Sequence, residues 1–468
     1  MFTIAEIALA TGGEIIGSDD GSVSGVATDS RTLKEGELFI PLKGGRYDGH
    51  DYLGGAVASG TGACLVEDDW VAAHTLPAGG TFIVVRDTLR GLGDLAAFHR
   101  SRFTIPVVAV TGSNGKTTTK EMIASILDNT GPGLKTSGNL NNLIGLPQML
   151  LRLAGSERWM VLEMGMSEAG EIDRLAEIAR PDVGVITNAF AAHLESMGSI
   201  EAVARAKGEL FLRLAAGGWA VFNADDPLIA ASPSPAGVHR LGFGFRDGAV
   251  SADGIRNEGL SGVSFILRLP EGDFPLTLKA FGRHNIANAL AAAAAAVALG
   301  VPGDTIREGL EQFTPYDKRF KLEELAGVVL IDDSYNANPA SMSAALTTVR
   351  EMKGTGRAIA VLGDMLELGQ ESADEHRFLG RLAASCLDRL YLLGASAGIT
   401  ADGALEGGLP QREILVAENH EEILADLAVR LGHGEFLLIK GSRGMKMEIV
   451  ADGIRRAYAP LRAKGAVV

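Results

Sequence analysis

A chain of 468 residues is too long for one ordinary core, and length alone sets an expectation of about three domains of roughly 150 residues each. With 46% hydrophobic residues it can fill several cores, which excludes a disordered or fibrous protein, and its 60 glycines follow no collagen-like period. A formal charge of -15 argues against non-specific binding to nucleic acid or an anionic membrane, since both need a positive face. Cys64 and Cys386 are too few and too far apart for a disulfide framework or a CxxC metal pair, so reduced, buried thiols are expected. The opening MFTIAEIALATGGE carries Glu6 and has neither a basic region nor a cleavage signature, so it does not read as a signal peptide. The longest apolar run, 289–302, is alanine-dominated and too short to span a bilayer. A cytoplasmic protein is the expectation.

Residues 1–104 read as a small α/β unit. SVSGVATDSR, GELFIPLKG, GACLVED and TFIVVRD are short strand-like runs bounded by Gly or Asp, and 89–102 has helical spacing ahead of Pro106. A second unit, 105–313, opens with VVAV at 107–110, an apolar run suited to a strand buried on both faces. A glycine loop follows, then the helix-like KTTTKEMIASILDN, the strand WMVLEMG, the helix GEIDRLAEIAR, the strand DVGVITN and a helix through Lys207. Strands alternating with helices predict a parallel sheet with crossover helices. Within 240–280, VSFILRL and FPLTLKA alternate apolar and polar residues and predict antiparallel strands at one edge; a helix over 285–299 closes the unit. From 314 to 468 the rhythm restarts through VVLIDDSY, AIAVLGDM, RLYLLG, EILVA and EFLLIKGS. The expected class is therefore α/β in three domains: a small N-terminal α/β domain, a central phosphate-loop domain with a mostly parallel sheet, and a C-terminal Rossmann-like doubly wound sheet.

The sharpest chemical signal is VVAVTGSNGKTTTKEM. A strand runs into Thr111, Gly112, Ser113, Asn114, Gly115, Lys116 and Thr117, followed by Thr118, and a helix starts there. Backbone N–H groups of such a loop, with the helix N-terminus, converge on phosphate oxygens. Lys116 would reach the β- and γ-phosphates, and the Thr117 hydroxyl would ligate Mg²⁺. Val110 stands where the general pattern has its first Gly, so the literal motif is not met, while the strand–loop–helix context and the Gly-Lys-Thr core are. Weighed against a plain lysine-bearing turn, that context favours nucleotide binding, though it names no reaction. Glu163 ends WMVLEMG and His193 follows VITNAFAAH. Ligands of open α/β sheets gather at such strand ends, and both residue types suit a Mg²⁺ site, oxygen being preferred. Lys207 stands in EAVARAKGEL. Each alone is an ordinary capping, structural or surface residue; their joint placement after a phosphate loop points to a site.

TGSNGKTTTKEM, TSGNLNNLIGLPQMLL, LEMGMSEAGEI, AHLESMGS with AKGE, GRHNIANALAA and IDDSYNANPASM occur in this order. Together they resemble the Mur ligase family over essentially the whole chain, including TDSRTLKEGELFIPLKGGRYDGHDYLGGA near the start. IDDSYNANPASM is similar to the branch that joins UDP-N-acetylmuramoyl-tripeptide to D-alanyl-D-alanine, and the DNPR tetrapeptide of the diaminopimelate- or lysine-adding branch is absent. The resemblance implies an N-terminal domain holding the UDP end of the substrate, a central ATPase-like domain, and an ADP-forming ligation through an acyl phosphate. It implies that Glu163 and His193 bind Mg²⁺ and that Lys207 is carried as a carbamate ligating a second Mg²⁺. By the same resemblance His284, Asn285 and Asn288 contact the nucleotide, Arg319 a phosphate and Asp333 the ribose. Ser30, Arg31, Lys43 and His50 match the uridine and diphosphate region, while Asn139, Asn142, Asn336 and Asn338 are read as substrate contacts. Lys440 and Arg443, in LLIKGSRGMKME, are assigned to a carboxylate, that of the incoming dipeptide, from charge and strand-end position. Asn188-Ala189-Phe190-Ala191 departs from the family's glycine-containing turn, and Met197 from its usual aromatic. The expected partners are the two small substrates, with no nucleic acid and no membrane insertion, for a monomer. Competing readings are another ADP-forming amide ligase of the same superfamily, such as a poly-glutamate adder, and a non-ligase phosphate-loop nucleotide switch.

Overall fold

A computed structural model describes residues 1–190 and 197–458. The chain forms two compact units, one of Met1–Ala109, Pro132–Met166 and Gly170–Asp182, the other of Val110–Gly131, Ser167–Ala169 and Val183–Val468. The strand Val107–Thr111, buried throughout, passes from the first into the second.

In the first unit a five-stranded sheet runs in the order Glu14–Ile16, Phe82–Val85, Ala63–Glu67, Leu38–Phe39, Val26–Ala27. All neighbours are parallel except Glu14–Ile16, which pairs antiparallel. Successive side chains of a strand point to opposite faces, so Leu65 and Ile83 join one apolar cluster with Leu92 and Leu95 of the helix Thr88–Arg100, and Cys64, Val66 and Phe82 join another. Burying each such large side chain contributes about 1.5–3 kcal/mol. Leu134–Lys135 and Met160–Glu163 pair in parallel in the same unit. Cys64 and Cys386 are free and buried as expected, and burial pushes the Cys64 thiol up to about 12.

The second unit contains the parallel strands Val183–Ile186, Trp219–Asn223 and His239–Phe243. The helix Arg283–Ala298 packs against them and against Lys116–Leu127. From Ala289 to Ala296 it is buried on all sides, which is why that stretch is apolar all round. The alternating segments form strands Ser251–Asn257, Val263–Leu269 and Gly272–Leu278, in an antiparallel sheet of their own rather than at the edge of a parallel one. Apolar–polar alternation specifies a sheet with one buried face, and the strands that pair with each other satisfy it without a parallel neighbour.

The C-terminal sheet has the order Lys321–Leu325, Val328–Asp333, Phe436–Lys440, Ala358–Gly363, Arg389–Leu393, Ile414–Ala417, parallel except for the first strand. Its faces are filled separately. Ile331, Ala360, Leu390 and Leu438 pack with helices Pro339–Lys353 and Ser372–Cys386, while Leu330, Val361, Tyr391 and Ile439 pack with His420–Arg430 and Glu448–Tyr458. The doubly wound arrangement expected from the sequence is present. Among the described residues no helix is long and apolar enough to cross a membrane.

Candidate active site

The phosphate loop is braced by the strand beside it. Ser113 N–H donates to the Asn188 carbonyl at 3.0 Å and Asn114 N–H to Asn188 Oδ1 at 2.9 Å, while the Thr187 hydroxyl donates to the Asn114 carbonyl at 2.6 Å. Two of the amides expected to face phosphate are thus spent on Asn188. The helix Lys116–Leu127 has Gly115 at its N-cap with no side-chain cap, the arrangement in which a helix N-terminus suits an anion. Gly112 and Gly115 have positive φ, 150° and 83°. A Cβ on Gly112 would lie 1.9 Å from Thr187 Oγ1, and one on Gly115 2.1 Å from Asn288 Oδ1. Only glycine fits at either position.

Asn285 and Asn288 lie behind the loop. Asn288 donates to Asn285 Oδ1 at 3.1 Å and accepts from the Thr119 hydroxyl at 3.4 Å, and Asn285 donates to the Phe281 carbonyl at 2.9 Å. Both shape the floor under Gly115. The Lys116 ammonium donates to the carbonyls of Gly112 at 2.7 Å and Ser113 at 3.3 Å.

Lys207, in the helix Ile200–Leu212, is 2% exposed. Burial first, and then the charge of Lys116, hold its pKa well below the usual lysine value. The fold therefore favours a neutral amine there. His193 lies outside the described residues.

The C-terminal sheet brings its own groups to the loop. Asn114 and Asn338 exchange side-chain hydrogen bonds, 3.1 Å from Asn114 Nδ2 and 2.7 Å from Asn338 Nδ2. Asn338 also caps the helix Pro339–Lys353, forming a reciprocal box with Ser341. Arg319 Nη2 donates to the Thr117 hydroxyl at 3.4 Å. Asp333 and Lys440 end neighbouring parallel strands in register and pair at 2.7 Å, and Lys440 also donates to the Asn336 carbonyl at 3.0 Å. Lys440 is thus buried and already committed. Arg443 is the more exposed cation: it bonds Glu448 at 3.0 Å, and its backbone N–H meets Asn336 Oδ1 at 3.2 Å. His284 packs edge-on against Phe320, and burial lowers its pKa to about 4, with Lys440 adding to the shift and Asp333 opposing it.

In the first unit, Glu163 is 3% exposed at the end of its strand. Its N–H donates to the Thr136 hydroxyl at 2.9 Å and its Oε1 accepts from Asn141 at 2.8 Å. Its buried Oε2 has no donor among the described residues. An unsatisfied buried carboxylate oxygen is costly, and a hard cation satisfies it, so this residue fits a Mg²⁺ ligand. Asn141, which sequence reasoning passed over, is the member of NLNN that reaches Glu163. Asn142 caps the turn into Gly145–Leu150, accepting from Ile144 and Gly145 N–H, and Asn139 is exposed. Gln148 of that helix donates to Thr28 at 2.9 Å, beside Ser30. Arg31 is exposed and pairs with Asp29 at 2.6 Å, while Lys43 pairs with Glu67. His50, 1% exposed, bonds Asp48 through Nδ1 at 2.6 Å and accepts Glu67 N–H through Nε2 at 3.2 Å, so both ring nitrogens are occupied.

A glycine-braced phosphate loop, met by an arginine and an asparagine from a doubly wound sheet, defines a nucleotide-binding α/β protein built for phosphoryl chemistry. Comparison with known proteins narrows the class. Residues 22–100 match the Mur ligase family catalytic domain, 110–296 the Mur ligase middle domain, and 318–443 the Mur ligase glutamate ligase domain. The chain is 37% identical to UDP-N-acetylmuramoyl-tripeptide--D-alanyl-D-alanine ligase of Escherichia coli K12, over 97% of this chain and 98% of that protein. The crystal structure of MurF from Acinetobacter baumannii superposes with a TM-score of 0.87 at 34% identity, covering 97% of this chain and 99% of that one. The MurF ligase of Thermotoga maritima in complex with ADP superposes with a TM-score of 0.83 at 30% identity, covering 93% and 97%. The chain belongs to the Mur ligase family.

Proposed function

We propose that this protein joins D-alanyl-D-alanine to UDP-N-acetylmuramoyl-tripeptide, consuming ATP and releasing ADP and phosphate, as a cytoplasmic monomer with domains at 1–104, 105–313 and 314–468. The three family matches, one inside each of those stretches, support the division. Full-length similarity to the E. coli tripeptide ligase is the observation that carries the reaction, because it spans the substrate-reading ends as well as the phosphate loop.

The tripeptide's terminal carboxylate attacks the γ-phosphorus of ATP, forming an acyl phosphate and ADP. The amine of D-alanyl-D-alanine then attacks the acyl carbon, and phosphate leaves as the amide forms. Repulsion between the two anions of the first step is the main barrier, and Lys116 and Arg319 offset it. Thr117 and Glu163 would hold one Mg²⁺, and His193 with Lys207 as a carbamate a second; bound there, the two ions would supply further positive charge. The desolvated amine of Lys207 supports the carbamate, since only a neutral amine adds to CO₂, releasing a proton as it does so. Arg31 and Lys43 are assigned to the UDP diphosphate, with Ser30 beside them and His50 holding the turn beneath. Arg443, rather than the committed Lys440, is assigned to the dipeptide carboxylate. His284 and Asp333 are assigned to the nucleoside end of ATP.

Phosphate release measured with the tripeptide nucleotide, with and without D-alanyl-D-alanine, tests the reaction. Release requiring both, with a pentapeptide product by mass, is expected; turnover on a folate or glutamate acceptor instead would place the chain with the poly-glutamate adders.

A further inference from the structure

Tyr335 lies in the Asp-Asp-Ser-Tyr tract and has no part in the chemistry above. Arg319 sits on a turn whose two flanking residues, Lys318 and Phe320, have φ of 62° and 50°. Residues with side chains adopt that conformation only where surrounding contacts impose it. Asp333 Oδ1 accepts the Phe320 N–H at 3.1 Å, and the Lys318 carbonyl accepts the Tyr335 N–H at 3.2 Å. The backbone on both sides of Arg319 is therefore tied to the segment that bears Tyr335.

Among the described residues no carboxylate pairs with the guanidinium. Its Nη2 meets the Thr117 hydroxyl, and its Nε is buried with no acceptor among the described residues. Its carbon lies 3.9 Å from the Tyr335 ring centroid, and that of Arg443 lies 5.5 Å from the same ring. A carboxylate would hold an arginine firmly but cancel its charge. An aromatic face holds the plane of the guanidinium and leaves the charge available to an incoming anion.

We infer that Tyr335 is a positioning residue whose ring face fixes the Arg319 guanidinium beside Thr117, so that an uncompensated cation awaits the terminal phosphate of ATP. This rests on the reading of Arg319 as a phosphate contact.

The test replaces Tyr335 in the full-length enzyme by phenylalanine and by phenylalanines carrying one, two or three ring fluorines, which drain the negative potential of the face with little change of shape. Tyr335→Phe should stay within about twofold of the parent kcat, and kcat should then fall with each fluorine, to about tenfold at three. KM for D-alanyl-D-alanine and the melting temperature should not move across the series. A ring needed only for packing gives a flat series, which overturns the inference. So does a loss in Tyr335→Phe as large as in Tyr335→Leu, which would place the role on the hydroxyl. Arg319→Ala, measured in parallel, separates the two failures. If it loses activity while the series is flat, only the Tyr335 assignment falls; if it keeps full kcat, the phosphate-contact reading falls with it.

Discussion

In the phosphate loop the unusual backbone angles fall on Gly112 and Gly115; in the turn that carries Arg319 they fall on Lys318 and Phe320. Both segments bring a basic residue to the neighbourhood of Thr117. The loop does it with glycines, which adopt such angles without steric strain, and Thr187 and Asn188 then brace it. The turn does it with residues that resist, and its shape is imposed by Asp333 and Tyr335, 13 and 16 positions on from Phe320 and Arg319 respectively. A loop of the first kind meets its angles without strain; a turn of the second kind holds them only once the sheet that carries it has assembled.

Breaking the loop should have the largest effect. Gly115→Ala adds a Cβ where Asn288 Oδ1 already sits, and should lower kcat/KM for ATP by about 100-fold or more, as measured by steady-state phosphate release. An unchanged value would mean that the floor beneath the loop yields. The contact joining the loop to the N-cap of the helix Pro339–Lys353 is tested next. Asn338→Asp keeps a good helix cap but removes the amide that donates to Asn114. Its melting temperature should stay near that of the parent while kcat drops about tenfold, the worth of one buried hydrogen bond. Equal losses of stability and activity would reduce Asn338 to a cap. The smallest effect concerns His284, against Phe320 of the turn. It titrates near 4 when folded and near 6.5 when unfolded, so the unfolded chain takes up the proton first. Its contribution to stability is intact above pH 6.5 and is lost as pH falls toward 4. His284→Asn should therefore show a shallower decline in melting temperature across that window; an identical decline would assign it to other groups.

The same contrast explains what was legible in the sequence. VVAVTGSNGKTT could be read because strand, glycine and lysine each act locally, and the doubly wound sheet could be read because its strands are continuous apolar runs. Lys321–Leu325 could not, since KLEEL is a charged, half-exposed edge strand with no apolar signature. Among three nearby asparagines, turn geometry alone decides that Asn141 reaches Glu163 while Asn142 closes the turn ahead of Gly145–Leu150. Lys440 and His50 read as ligand groups, yet their partners, Asp333 and the segment at Glu67, lie far away in sequence. Polar residues announce a site in sequence; which of them are free to serve it depends on long-range pairing.

The strand Phe436–Lys440, almost the last of the chain, lies between Val328–Asp333 and Ala358–Gly363 in the middle of its sheet. During synthesis two neighbours must leave a slot open for it while the 72 residues between Gly363 and Phe436 are still emerging, and such late, distant pairing is slow. A nascent or truncated chain ending short of that strand would own a finished phosphate loop but lack Lys440 to hold Asp333, and with it the anchor of the Arg319 turn. The support of the Arg319 turn is thereby completed only when the Phe436–Lys440 strand has been made and inserted.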